Sequence, residues 1–387
     1  MEIQADQTTF RSYLFFWSGQ LTSLLGSSIA QFVIIWWITL ETGSALYLSL
    51  AAVLGLAPMV ILTPFAGVFV DRWSRKALIG IADFLQALAT AILIFLFWLG
   101  GILVWQVLAL LTLRGVFQAF HSPAVSAIIP SMVPKDKLSR MNGLNYLFTG
   151  AISLIGPVVA ALLLGLWKIH QILWIDVATF LVALAPLLII RIPSIREKLK
   201  KSSFTEELTE GFALIKNGRG LLPLLLVATV VNFLLVPLFT LLPYYVKVVH
   251  FGVAEDLAFV MAFSAGGTLG GGLLMSAMKG FKKKMVAVTV SIYIIFLGYV
   301  LVALTPTGLF WFMAISTLLM HFCAPVANVS IMTIIQTVVP GKMQGRVNSV
   351  LTALASGAMP LGMIVSGPLA EYLGTSNLFW DVVYSGY

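Results

Sequence analysis

Residues 44–76 read SALYLSLAAVLGLAPMVILTPFAGVFVDRWSRK. A long apolar run breaks abruptly into Asp71, Arg72, Arg75 and Lys76. A hydrocarbon core of about 30 Å is crossed by about 20 apolar residues in helical form, so 44–70 is long enough to span a bilayer. Hydrocarbon offers the backbone no hydrogen-bond partners, and a helix satisfies its own.

The same alternation of apolar run and polar break continues in both directions. Runs at 13–40, 77–99, 102–132, 143–167 and 172–190 complete a first set of six. Five more follow at 221–249, 257–278, 285–304, 309–339 and 347–369, and 376–387 reads as the opening of a truncated twelfth helix. The expected fold is therefore an all-α integral membrane protein of about 11 complete transmembrane helices. The composition agrees, with 60% hydrophobic and 10% charged residues against about 25% charged in a soluble domain. The first run is too long for the apolar core of a signal peptide and no small-residue cleavage site follows it, so it is expected to stay in the mature chain. The single cysteine, Cys323, cannot form an internal disulfide or a multi-thiolate metal site. No metal and no cofactor is expected.

The formal charge of +8 raises the question of an acidic partner. With the N-terminus in the cytoplasm, all but Lys168, Lys247 and Arg114 of the 23 Lys and Arg residues fall on the cytoplasmic side. That is the positive-inside pattern of a multi-pass protein of the cytoplasmic membrane. The charge then reports topology and contact with anionic membrane lipid, not nucleic acid.

An offset of 206 residues relates the two halves. Trp105 maps to Trp311, Val133-Pro134 to Val339-Pro340, Arg140 to Arg346 and Asn142 to Asn348. A duplicated six-helix unit produces such a register and implies two pseudo-symmetric bundles with a cavity between them. The expected organisation is an N-terminal bundle over 1–192, a cytoplasmic linker over 193–220 and a C-terminal bundle over 221–387. Within the linker, Phe204, Leu208, Phe212 and Ile215 recur at helical spacing, which predicts an amphipathic helix.

The string Gly67-Val-Phe-Val-Asp71-Arg72-Trp-Ser-Arg75-Lys76 resembles the signature loop of the major facilitator superfamily. Leu110, Arg114 and Gln118 resemble its second motif, with Ala119 where glycine is usual. Ser122-Pro123-Ala124, Ile129-Pro130, Val133-Pro134, Glu210-Gly211 and Pro243-Tyr244-Tyr245 together resemble the macrolide and siderophore exporter branch. The resemblance implies the major facilitator fold, a gate built from Gly67, Asp71, Arg72, Arg75 and Lys76, and drug export against protons. Two departures stand out: the second-half copy near 278–284 has no acid, and the fifth-helix antiporter motif is reduced to Gly156-Pro157.

Arg114 falls close to mid-membrane, where a charge costs about 2.5–3.5 kcal/mol on insertion scales and is seldom idle. With Asp83 and Asp176 it forms the set of proton-coupling candidates, Asp83 being the expected partner of Arg114. A competing reading joins Asp83 to a latch with Arg72 or Arg75, about two turns away. Arg114, Gln118 and His121 share one helix face by their spacing. Gln20, Gln31, Gln118, His121, Asn232, His321 and Asn328 are the substrate-cavity candidates, each also readable as a packing residue. Gly19, Ser23 and Ser27 read as a packing stripe. So does Gly266-Gly267 with Gly270-Gly271-Gly272, which lacks the Lys-Ser or Lys-Thr of a nucleotide loop.

The expected activity is alternating-access export of a small amphipathic compound, macrolide-like drug or siderophore, driven by protons, by a monomer. One proton crossing 100 mV supplies about 2.3 kcal/mol, and no ATP motif offers another source. Two alternatives are a transporter of lysophospholipid or other lipid, and a non-transporting sensor or scaffold suggested by the short twelfth segment. No zinc-protease motif, nucleophile elbow or paired catalytic carboxylates support an enzyme.

Overall fold

A computed structural model describes residues 7–190, 212, 220–278, 281–339 and 344–373. The amphipathic helix expected over 203–216, apart from Phe212, and the twelfth segment expected over 376–387 lie outside the described residues. Among the described residues there is no strand. Eleven long helices follow in order: α1 (Gln7–Thr42), α2 (Ala45–Arg72), α3 (Arg75–Leu99), α4 (Val104–Met132), α5 (Leu138–Leu164), α6 (Ile169–Ile189), α7 (Leu221–Tyr244), α8 (Ala254–Ala277), α9 (Lys284–Ala303), α10 (Phe310–Val338) and α11 (Gln344–Leu373). A 3-10 turn (Lys135–Lys137) precedes α5, and a π-helical turn (Tyr245–Val249) extends α7. Nine of these helices contain described stretches long and apolar enough to cross a membrane.

Two compact units emerge from the packing, one of residues 1–42 and 50–198, the other of 43–49 and 199–387. In the first, α1 packs on α6, α5 and α4, and α3 packs on α4 and α6. In the second, α10 packs on α8 and α9, and α7 packs on α11.

Small residues set how near these helices come. A Cβ on Gly19 would meet Pro186 Cγ at 3.0 Å and Ala183 Cα at 3.2 Å, one on Gly26 would collide with Thr179, and one on Gly156 with Ser28 Oγ. Close approach of this kind replaces the hydrophobic effect as the force joining helices in lipid. The glycine-rich stretch of α8 works the same way, because a Cβ on Gly267 or Gly271 would run into the carbonyls of Leu318 or Phe322 on α10.

The 206-residue register extends beyond the matching letters. Helix α4 spans 104–132 and α10 spans 310–338, so both ends are 206 apart and both helices have 29 residues. Helices α5 and α11 start at 138 and 344, again 206 apart. Each unit has an apolar core in which Val125, Ile129, Val133 and Met141 of the first occupy the positions of Ile331, Ile335, Val339 and Val347 of the second. Trp105 and Trp311 are 63% and 62% exposed, the setting of an interfacial aromatic anchor.

Candidate functional site

The polar residues of the first unit lie on helices that are otherwise apolar, and their spacing arranges them in two layers. Helix α1 offers Gln20 and Ser27, α3 offers Asp83 and Thr90, and α4 offers His121 and Arg114. Each pair is seven residues apart, two turns, which places its members on one face about 10.5 Å apart along the axis.

In one layer Arg114 Nη1 donates to Asp176 Oδ2 of α6 at 2.7 Å. The same carboxylate accepts from Thr90 Oγ1 at 2.7 Å and from Ser27 Oγ at 2.8 Å. Arg114 Nη1 also contacts Thr90 Oγ1. Thr90 is fully buried and Asp176 is 5% exposed. An ion pair removed from water is tolerated when its remaining lone pairs are hydrogen-bonded, and here three donors meet one carboxylate.

The other layer has a histidine where the first has an arginine. His121 Nε2 lies 3.0 Å from Asp83 Oδ1 and 3.1 Å from Gln20 Oε1. Gln20 Nε2 donates to Asp83 Oδ2 at 3.4 Å. Both neighbours of His121 Nε2 are acceptors, so that nitrogen carries a hydrogen and donates. The side chains of His121 and Asp83 are 14% and 10% exposed, against 11% and 6% for Arg114 and Asp176.

These contacts correct three expectations. The partner of Arg114 is Asp176, because the guanidinium sits two turns from the layer that holds Asp83. Asp83 does not join Arg75, whose Nη1 donates to the Ala127 carbonyl of α4 at 2.8 Å. Ser27 does more than pack, since its hydroxyl holds Asp176. Thr90 is a site residue that the sequence did not single out, and Ser27 stood out only as a packing residue. The signal for them was their seven-residue distance from Gln20 and Asp83 on parallel helices.

Of the gate candidates, Lys76 Nζ donates to the carbonyls of Leu188 and Ile190 at 2.7 and 2.8 Å, closing the end of α6. A lysine there satisfies otherwise unpaired carbonyls and opposes the negative end of the helix dipole. Ser74 caps α3, accepting from Ala77 N at 3.4 Å. The side chains of Asp71 and Arg72, and the surroundings of Gly67, lie outside what the structure describes.

Of the cavity candidates, Gln20 and His121 join the second layer, and Gln118 Nε2 donates to Ser122 Oγ at 2.9 Å one turn from it. Gln31 is exposed and is not brought to either layer. In the second unit, Asn232 is exposed and donates to the Ala228 carbonyl of its own helix. His321 Nδ1 bonds the Thr317 carbonyl at 2.8 Å and its ring stands edge-on to Phe239 at 5.1 Å. Asn328 is exposed. Among the described residues, no group of three or more His, Cys, Asp or Glu is placed to hold a metal ion.

Comparison with known proteins agrees with this architecture. The chain is 31% identical over 365 residues to macrolide efflux protein A of Streptococcus pyogenes, covering 94% of this chain and 90% of that one. It is 27% identical over 374 residues to the multidrug efflux pump Tap of Mycolicibacterium fortuitum, covering 93% and 89%. In fold it is similar to a bacterial homologue of the iron transporter ferroportin, with a TM-score of 0.74 and 14% identity over 97% of each chain. Residues 16–348 match the Major Facilitator Superfamily. A bundle of membrane-length helices, ionisable pairs held between them and a family match over most of its length together make this chain a multi-pass membrane transporter of the Major Facilitator Superfamily.

Proposed function

We propose that the protein exports a small amphipathic organic compound, of macrolide or similar character, across the cytoplasmic membrane by alternating access in exchange for protons. In this reading the N-terminus is cytoplasmic, 1–192 and 221–387 are the two bundles joined by the 193–220 linker, and the chain acts as a monomer. The observation that carries the reading is the presence of Asp83, His121, Arg114 and Asp176 between helices that must cross lipid. Ionisable groups at that depth are costly and mark ion or substrate pathways. Similarity to macrolide and multidrug efflux proteins supports the direction and the class of substrate.

The test is accumulation of a labelled macrolide in energised cells that express the chain, with and without a protonophore. Export predicts lower accumulation than in empty-vector cells, and the protonophore abolishes the difference. Equal accumulation in both, with membrane insertion verified, rejects macrolide export. Lipid transport has less support, because the guanidinium that a phosphate headgroup would need, Arg114, is bonded to Asp176.

A further inference from the structure

The two buried acid–base pairs in the first unit are chemically unequal, and the difference assigns them different work. We propose that Asp83 and His121, bridged by Gln20, are the pair that takes up and releases the transported proton, while Arg114 and Asp176 form a fixed ion pair that holds α1, α3, α4 and α6 together. The proposal rests on the proton-exchange reading above.

The fixed pair cannot cycle cheaply. A guanidinium does not give up its proton in proteins. A proton added to Asp176 would therefore leave Arg114 charged and unpaired among apolar helices, the costly outcome of breaking a buried pair. The Thr90 and Ser27 hydroxyls, both donating to the same carboxylate, oppose that proton as well.

The second pair has a route to a second charge state. With the imidazole neutral the pair carries one negative charge, on Asp83, and that carboxylate is hydrogen-bonded by the Gln20 amide and by His121 Nε2–H. A proton arriving at the other ring nitrogen, Nδ1, turns that hydrogen bond into an imidazolium–carboxylate ion pair without displacing any partner. Loss of the proton from Nδ1 restores the first state, so no co-reactant is consumed. Histidine is the side-chain type that ordinarily changes charge near neutral pH. Among the described residues, the charged and titratable groups within about two turns of the pair are Asp83 itself with Arg75 and Lys76 from α3, Arg114 along α4 and Asp176 from α6, with α1 contributing the uncharged Gln20. Arg114 and Asp176 cancel one another, and Arg75 and Lys76 are held on backbone carbonyls of α4 and at the end of α6, so the charge that can vary here is that of His121 against Asp83.

The experiment uses the purified full-length chain in liposomes, with erythromycin as probe, comparing wild type with His121→Gln and Asp83→Asn. Gln at 121 keeps a donor toward Asp83 but cannot become a cation. Two readouts are taken. The first is export driven by an imposed pH gradient, set against erythromycin exchange at equal pH. Both variants are expected to lose about 10-fold or more of gradient-driven export relative to their own exchange at equal pH. Gradient-driven export in His121→Gln equal to wild type overturns the proposal and leaves the transport reading intact. The second readout is independent of transport: infrared difference spectra between about pH 5 and pH 8. Imidazole bands present in wild type and diminished in His121→Gln support the assignment even where wild type exports no erythromycin, an outcome that would reject macrolide export instead. Unchanged imidazole bands in His121→Gln overturn it whatever the transport result.

Discussion

Asp83 and Asp176 are the same side chain at comparable burial, 9% and 5% exposed, and their neighbours divide them. Asp176 meets a permanent cation and two hydroxyls; Asp83 meets a histidine and an amide. The Arg114–Asp176 pair therefore predicts a specific stability pattern. Asp176→Ala or Arg114→Ala is expected to cost about 3–5 kcal/mol, because each leaves its partner charged and buried. The double variant Arg114→Met with Asp176→Leu should lose less than the two single changes combined, since no charge remains. Thermal midpoints in detergent read this directly. Single variants that melt with wild type would show that the pair is not buried in the folded protein.

At the scale of the element, close approach and capping decide what each helix tolerates. A Cβ on Gly115 of α4 would collide with the Gly55 carbonyl of α2, so Gly115→Leu is expected to lower the yield of folded protein sharply. Gly143 of α5 has open space at its Cβ position, and Gly143→Ala should be nearly neutral. Fluorescence-detected size-exclusion separates the two, and a monodisperse Gly115→Leu protein at wild-type yield would contradict the packing. Lys76→Met removes two hydrogen bonds from the end of α6 and is expected to cost about 1 kcal/mol.

The junction after α7 carries a pH term of its own. His250 is 4% exposed, its ring 4.5 Å from Tyr245 and 6.2 Å from Phe310. Burial holds its imidazole below the ordinary histidine range, partly opposed by the Pro306 carbonyl. A folded state that binds the proton less readily than the unfolded state loses stability as pH falls below about 6.5. His250→Leu should flatten the decline of the thermal midpoint between about pH 7 and pH 5. An unchanged slope would place the acid sensitivity elsewhere.

For the whole molecule, sidedness is the property most open to direct test. Cys323 is buried, and Cys323→Ser provides a background for introduced cysteines. Lys168 and Lys283 are both exposed, one from the minority of basic residues and one from the majority. In intact cells an impermeant thiol reagent should label Lys168→Cys, while Lys283→Cys should label only in inverted vesicles. The opposite pattern would invert the proposed topology.

Among the described residues, the eleven long helices and their order were legible in the sequence because lipid imposes a one-dimensional rule: about 20 apolar residues, then a break. The repeat was legible as well, since duplication keeps its register in the letters, and the register reached the ends of α4 and α10 and both apolar cores. Arg114, Asp83, Asp176, Gln20 and His121 stood out because each is polar within a greasy run. Their pairing did not, since which acid meets Arg114 depends on the vertical offset between helices that are far apart along the chain. Two turns separate Asp83 from Thr90 and His121 from Arg114, and only the tertiary packing of α1, α3, α4 and α6 puts Asp176 at one level and Asp83 at the other.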